Sequence, residues 1–109
     1  MARSATTSDA FNAIAEPRRR DILNLLATGE RPVNEMVHSL RLKQPQVSKH
    51  LRVLEKAGLL IREKEGRVHR FTTDLRRIQQ AADWLDRYRN FWTAQFNALD
   101  KHLSKTRKD

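Results

Sequence analysis

The chain has 109 residues and a formal net charge of +9, from 22 lysine and arginine residues against 13 aspartate and glutamate residues. This length favours one domain, and no stretch approaches the ~20 consecutive apolar residues that a membrane helix needs. Because the chain has no cysteine, disulfide scaffolds, thiol catalysis and cysteine-based zinc sites are excluded. The polar start of the sequence lacks a secretion signal, so we expect a cytoplasmic protein.

Most of the positive charge lies in one third of the chain. Residues 41–77 hold 11 basic and 4 acidic side chains, a net charge of +7. Residues 1–40 are neutral overall, and residues 78–109 carry +2. A focused basic region is typical of proteins that bind a polyanion, most often nucleic acid, although a merely solvated basic surface is the alternative interpretation.

Apolar periodicity, with few prolines and glycines between the apolar runs, predicts three short helices in the first 40 residues. The first helix follows an N-cap at Ser8 and ends at Pro17, which suits the first turn of the second helix. Gly29 closes the second helix, and Pro32 opens the third.

A fourth helix and a hairpin follow in the basic region. The helix begins at Pro45 and ends at Gly58, a residue typical of helix C-termini. The apolar period then changes to about two, which predicts strands over residues 59–64 and 68–73 joined by a tight turn at Gly66.

From an N-cap at Asp74, a long helix is predicted to run to about Leu103, a length of roughly 45 Å. Its apolar side chains recur near heptad spacing and form a stripe wider than one small domain can cover, so we expect the helix to pair with a second copy of itself. The residues expected in that interface are Ile78, Leu85, Tyr88, Trp92, Phe96 and Leu99.

This order of elements predicts a winged helix-turn-helix, a mainly α fold with about five helices and a two-stranded wing. In that arrangement the fourth helix fits the major groove of B-DNA. Glutamine and lysine side chains at its start can read bases, whereas Arg52 is expected to reach a phosphate. The hairpin cations are expected to clamp the flanking DNA backbone or to enter a minor groove. The candidate DNA-binding residues are Gln44, Pro45, Gln46, Ser48, Lys49, Arg52, Lys64, Arg67 and Arg70.

The sequence resembles the ArsR family of small winged-helix repressors over residues 11–73, through the segments AEPRRRDILNLL, QPQVSKHLRVLEKAGLL and EKEGRVHRF. The resemblance implies a homodimer held by the first and last helices, which adds Phe11 and Ile14 to the interface. It also implies repression from a palindromic operator in double-stranded DNA, and it carries DNA contact onto Gln44, Pro45, Gln46, Ser48, Lys49 and Arg67. The sequence looks especially similar to autoregulated repressors that are encoded beside START-type proteins.

Within residues 1–109 we therefore expect a winged-helix core over residues 8–73 and a dimerisation helix over residues 74–104. Residues 1–7 and 105–109 are expected to be disordered.

The chain departs from the family's metal sensors. Their ligands are a Cys-x-Cys pair on the third helix, or Asp and His sets on the last helix. The third helix here reads VNEMVHSL, without the thiolates that arsenite, cadmium and lead require. His102 lacks a second His or Glu three residues later. We expect no metal and no cofactor; a small organic effector between the aromatic side chains of the last helix, or no effector, both stay open.

Two other classes of function compete with a DNA-binding repressor. An enzyme is not expected, because the sequence has no phosphate-binding glycine loop, no Ser/His/Asp set in motif context and no paired carboxylates. A protein-interaction module that acts through the long last helix is the alternative, since winged helices also serve as scaffolds.

Overall fold

The computed structural model describes residues 6–107, so the disorder predicted for residues 1–5 and 108–109 lies outside the described part of the chain. The helices are α1 (Thr7–Ala15), α2 (Pro17–Leu26), α3 (Val33–Leu40), α4 (Gln44–Lys56) and α5 (Leu75–Arg107). The strands are β1 (Arg31–Pro32), β2 (Leu60–Glu65) and β3 (Val68–Thr73). The predicted winged helix-turn-helix order is confirmed.

The helix boundaries follow the prolines and glycines, with one error at the start. Pro17 occupies the first turn of α2, and Pro32 is the N-cap of α3. The predicted N-cap at Ser8 is wrong: the hydroxyl of Thr6 accepts from the backbone N–H of Asp9, whose carboxylate accepts in turn from the Thr6 N–H. This reciprocal capping satisfies the backbone N–H groups of Thr6 and Asp9, and it places Ser8 within the first turn of α1.

The sheet has three antiparallel strands in the order β1-β3-β2, whereas the sequence predicted only the two-stranded wing. The missed strand, β1, is two residues long and pairs Arg31 with Phe71. No periodic pattern can show so short a strand, because it is defined by its partner and not by its own residues. The wing turns at Gly66, whose φ of +62° lies in the left-handed region that glycine adopts without strain.

One hydrophobic core joins α2, α3, α4 and the sheet. Its largest fully buried side chains come from the apolar faces of the three helices and from the start of the wing: Ile22, Leu26, Met36, Val47, Leu51, Leu54 and Leu59. Small residues of α1 and α5 also belong to it: Ala10, Ala13 and Ala81. The apolar face of α4 is therefore held inside the protein, and its polar face is held outside. The core fixes which side of α4 is available to a partner.

The chain outside this core is dominated by α5. Its 33 residues span about 50 Å, and the Cα radius of gyration is 19.2 Å, against about 13 Å for a compact chain of this size. The Asp74 carboxylate caps the helix by accepting from the Arg77 N–H at 3.3 Å, as predicted. The helix ends at Arg107, beyond the predicted end near Leu103, and residues 82–106 are exposed. Residues 105–107, expected to be disordered, lie within it. At the other end, residues 6–7 were expected to be disordered as well, but they form the N-cap and the first residue of α1.

Two arginines of α2 cap the preceding helix. Arg19 Nε donates to the carbonyl oxygen of Ala13 at 2.6 Å. Arg20 Nη1 donates to the carbonyl oxygens of Ile14 and Ala15, both at 2.9 Å. The last turn of α1 has no basic residue of its own, so these guanidinium groups supply the positive charge that a helix C-terminus favours.

Replacing Arg19 with alanine is expected to lower the free energy of unfolding by about 1–2 kcal/mol, because it removes charge-assisted hydrogen bonds to otherwise unpaired carbonyl groups. Arg18→Ala is the matched control, since Arg18 only approaches Asp21 across an exposed gap of 3.7 Å. That change is expected to cost at most about 0.5 kcal/mol. Urea unfolding of both variants measures the difference, and equal losses would contradict the capping role.

A pH effect is expected from Glu16, the N-cap of α2, whose carboxylate accepts from the Arg19 N–H at 3.0 Å. Desolvation alone would raise its pKa. The backbone N–H groups of Arg19 and Arg18 and the positive charges of His50 and Arg19 outweigh it, and they hold the pKa of Glu16 below its ordinary value of 4.5.

The folded state therefore favours the charged form of Glu16, and this stabilises the protein above the unfolded-state pKa. The contribution is lost as the pH falls through the lower folded-state pKa. Thermal unfolding of the wild type and of Glu16→Gln between pH 6 and pH 3 tests this: the wild type is expected to be more stable at pH 6, with the difference shrinking towards pH 3. A difference independent of pH would contradict it.

Candidate nucleic-acid interface

The polar side of α4 is the first part of the candidate interface. Because Val47, Leu51 and Leu54 are buried, a period of 3.6 residues directs Pro45 and Lys49 straight away from the core. The predicted DNA-binding residues of α4 other than Ser48 are exposed, and Ser48 is half-buried. The structure therefore presents the predicted face of this helix to solvent.

One member of this set makes a contact that the sequence did not indicate. The side-chain oxygen of Gln46 accepts from the backbone N–H of Lys43 at 3.0 Å, at the N-terminus of α4. In this arrangement Gln46 acts as a helix cap through its oxygen, and its NH₂ group is left to donate to a partner.

The wing supplies the second part of the interface. Lys64 and Arg67 are exposed near the turn at Gly66. Arg70 differs, because its Nε lies 3.8 Å from a carboxylate oxygen of Glu30 and 3.8 Å from one of Glu65. Part of its charge is therefore neutralised within the protein.

A groove of about 360 Å³ runs between α4 and the wing. It brings together four of the predicted residues: Gln44, Ser48, Arg52 and Arg67. Three polar residues outside the prediction also line it: Asn34, Arg62 and His69. Two features of the hairpin could have predicted Arg62 as a groove residue: the alternation of side chains along β2, and its position opposite Phe71 in the pairing with β3. Asn34 and His69 reach the groove only through the tertiary fold.

The electrostatics of this surface favour an anionic partner. Four of the predicted cations make no ion pair with any residue between 6 and 107: Lys49, Arg52, Lys64 and Arg67. Unpaired cations on both walls of one groove attract phosphate groups at short range and steer a polyanion at long range.

The tight connection before α4 also has an unusual backbone. Arg41 ends α3 with a φ of +55°, the left-handed conformation that closes many helices and that side chains other than glycine and asparagine seldom adopt. This turn sets the angle between α3 and α4, and so it helps to present the polar side of α4.

The predicted dimerisation residues fall into two groups. Phe11, Ile14 and Ile78 pack against the core and are half-buried. The others project from α5 and are 40% to 63% exposed: Leu85, Tyr88, Trp92, Phe96 and Leu99. Trp84, Phe91 and Leu103 are also exposed and extend this stripe.

The aromatic side chains of this stripe contact one another along the helix. We call Trp84, Tyr88, Phe91, Trp92 and Phe96 the aromatic face. The centroids of neighbouring rings in the aromatic face lie 5.3 to 6.2 Å apart. The ring centroid of Phe11 in α1 lies 5.1 Å from that of Trp84, and this contact joins the first helix to the aromatic face. Exposed apolar surface of this extent marks an interaction site.

The described part of the chain has neither a metal-binding cluster nor a membrane-spanning helix. Between residues 6 and 107, no group of three or more His, Asp or Glu side chains is arranged to hold a metal ion. Within the same range, no helix is long and apolar enough to cross a membrane.

The chain is similar to known regulatory proteins. The family model for bacterial regulatory proteins of the arsR family matches residues 16–62. An uncharacterised HTH-type transcriptional regulator of Methanocaldococcus jannaschii is 37% identical over 67 residues, which cover 61% of this chain and 75% of that protein. The transcriptional repressor SdpR of Bacillus subtilis is 26% identical over 78 residues, 72% of this chain and 87% of that protein.

A solved structure matches the fold as well as the sequence. The homodimeric winged helix-turn-helix DNA-binding domain of a possible ArsR-family regulator from Mycobacterium bovis is 28% identical. It superposes with a TM-score of 0.64 over 69% of this chain and 70% of that chain. With its fold, its polar α4 and its basic wing, this chain belongs to the ArsR family, and it is a transcriptional regulator with a DNA-binding winged helix-turn-helix, not an enzyme.

Proposed function

We propose that the protein is a dimeric, sequence-specific repressor that binds a palindromic operator and controls its own operon. The observation that carries the proposal is the groove between α4 and the wing, whose two walls bear the unpaired cations Arg52 and Arg67. Such a groove suits a phosphate of the DNA backbone, while the adjacent face of α4 suits the edges of bases in the major groove.

In this proposal some residues contact the bases and others contact the DNA backbone. Lys49 and Gln44 read base edges, with Pro45, Gln46 and Ser48 in contact beside them. Arg52, Lys64, Arg67 and Arg70 hold the backbone and supply affinity that does not depend on sequence. The ion pairs of Arg70 make it the weakest of these contacts.

We propose that a second copy of the chain covers the aromatic face. Its exposed rings and the adjacent Leu85 and Leu99 give an apolar area that one copy leaves in water. The similar domain from M. bovis is homodimeric, and the contact of Phe11 with Trp84 joins α1 to the aromatic face, so we place the interface on α1 and α5. A two-fold dimer presents two copies of α4, and these match two half-sites about 34 Å apart on a palindromic operator.

The repressor role is supported by a similar protein. SdpR, a similar protein, is a transcriptional repressor. The proposed activity requires a cytoplasmic location, because the DNA that the protein would bind lies there.

We propose further that no thiol-bound metal releases the protein, since the chain has no cysteine. Addition of cadmium or arsenite is expected to leave the affinity for operator DNA unchanged. A release at stoichiometric metal would contradict this part of the proposal.

Selection of bound sequences from a random DNA pool tests the proposal as a whole. The expected result is an inverted repeat whose half-site centres lie one helical turn apart, about 34 Å. Recovery of sequences without a shared motif would overturn sequence-specific binding.

The alternative function is a module that binds a different protein through α5, and the exposed aromatic face is the observation that favours it. Light scattering of the purified chain separates the two: a dimer is expected if the face binds its own copy, and a monomer if it awaits another protein.

A further inference from the structure

An ion pair links the recognition helix α4 to the wing. Arg62 Nη2 lies 2.7 Å from Glu55 Oε1, and the same guanidinium lies 5.3 Å from the centroid of the Phe71 ring. Glu55 belongs to the last turns of α4, Arg62 to β2 and Phe71 to β3. The guanidinium is therefore held between a carboxylate of the helix and an aromatic ring of the sheet, with a directional contact to each.

The two partners of Arg62 are fixed in different parts of the protein. Phe71 is 3% exposed and belongs to the core, and it stands opposite Arg62 in the pairing of β2 with β3. Within residues 6–107, the contact of Glu55 with Arg62 is the only ion pair that joins α4 to the hairpin. It is made beside the groove, which Arg62 also lines.

We propose that Arg62 is a positioning residue: through Glu55 and Phe71 it holds the wing at a fixed angle to α4, so that Arg67 can reach the DNA backbone while α4 lies in the major groove. This inference rests on the proposed function, since it concerns how the same DNA is bound. The charge of Arg62 is used inside the protein, and it is not one of the unpaired cations of the groove.

The competing role is that Arg62 itself binds a phosphate. The two roles differ in what they predict for another residue. If Arg62 positions the wing, the contribution of Arg67 depends on the Glu55–Arg62 pair. If Arg62 binds a phosphate independently, Arg67 contributes the same amount with or without the pair.

The test compares the cost of Arg67→Ala in several backgrounds, by fluorescence anisotropy with a selected operator duplex at one salt concentration. In the wild type the expected cost is about tenfold in Kd. In the Arg62→Gln and Glu55→Gln backgrounds we expect about twofold or less, because the wing is no longer held in place. Since each cost is measured within its own background, the general effect of a changed net charge cancels.

Two control backgrounds sharpen the comparison. Glu63→Gln removes a neighbouring exposed carboxylate of β2 that makes no ion pair within residues 6–107, and there the tenfold cost of Arg67→Ala is expected to persist. Arg62→Lys keeps a cation beside Glu55 and Phe71. In this background Arg67→Ala is expected to keep most of its tenfold cost in Kd. Urea midpoints of all variants show whether each remains folded at the assay temperature.

A tenfold cost that persists in Arg62→Gln would overturn the positioning role, and so would the absence of any cost in the wild type. Failure of the proposed function has a different signature, because the wild type itself would then bind operator and scrambled duplexes equally.

Discussion

Replacing Trp92 with glutamate is expected to convert the proposed dimer to a monomer and to weaken operator binding by about 100-fold. Trp92 lies at the centre of the aromatic face, in contact with Tyr88, Phe91 and Phe96. In a dimer a carboxylate at this position would be buried without a partner, which is strongly unfavourable. Loss of the dimer also removes the gain from binding two half-sites at once, which typically amounts to about 100-fold or more.

Asn90→Glu is the matched control for this change. It adds the same charge to the same helix, but a period of 3.6 residues directs Asn90 to the opposite side of α5, where the chain is exposed. Light scattering and operator titration of both variants measure the effect. A Trp92→Glu protein that stays dimeric would show that the aromatic face is not the interface between the two copies.

The second large effect is expected at the DNA surface. Lys49→Ala removes the side chain that we propose reads base edges, and it should cost about 1–3 kcal/mol of operator affinity and relax base preference. Arg67→Ala instead removes a proposed contact with a DNA phosphate. This change should weaken binding to operator and scrambled duplexes by the same factor. It should also reduce the slope of log affinity against log salt by about 1.

Lys101→Ala serves as the control, because it removes one lysine from the exposed part of α5, away from α4 and the wing. Titrations with operator and scrambled duplexes over a salt series separate the three variants. If Lys49→Ala weakens binding to the scrambled duplex as much as binding to the operator, the proposed division between base contacts and backbone contacts is wrong.

The sequence predicts those parts of the fold that depend on local order. Prolines and glycines marked the helix ends, and the change of apolar period after Gly58 marked the wing. The exposed face of α4 followed from the buried positions Val47, Leu51 and Leu54. In each case one segment carries its own signal.

Contacts between distant segments were not predictable in the same way. The short strand β1 exists only through its pairing with β3. Three contacts use side chains that composition marks simply as charged or polar. They are the capping of α1 by Arg19, the cap of α4 formed by Gln46, and the ion pair of Arg62 with Glu55. Their roles depend on which backbone or side chain the fold brings within hydrogen-bond distance.

The most direct test of a dimeric, sequence-specific regulator is a fluorescence anisotropy titration of the purified protein with DNA from upstream of its own gene. A scrambled duplex of the same length and a salt series run in parallel, with light scattering on the same sample. The account predicts saturable binding by a dimer with a clear preference for the upstream DNA. Weak binding that is equal on both duplexes and disappears with added salt would contradict it.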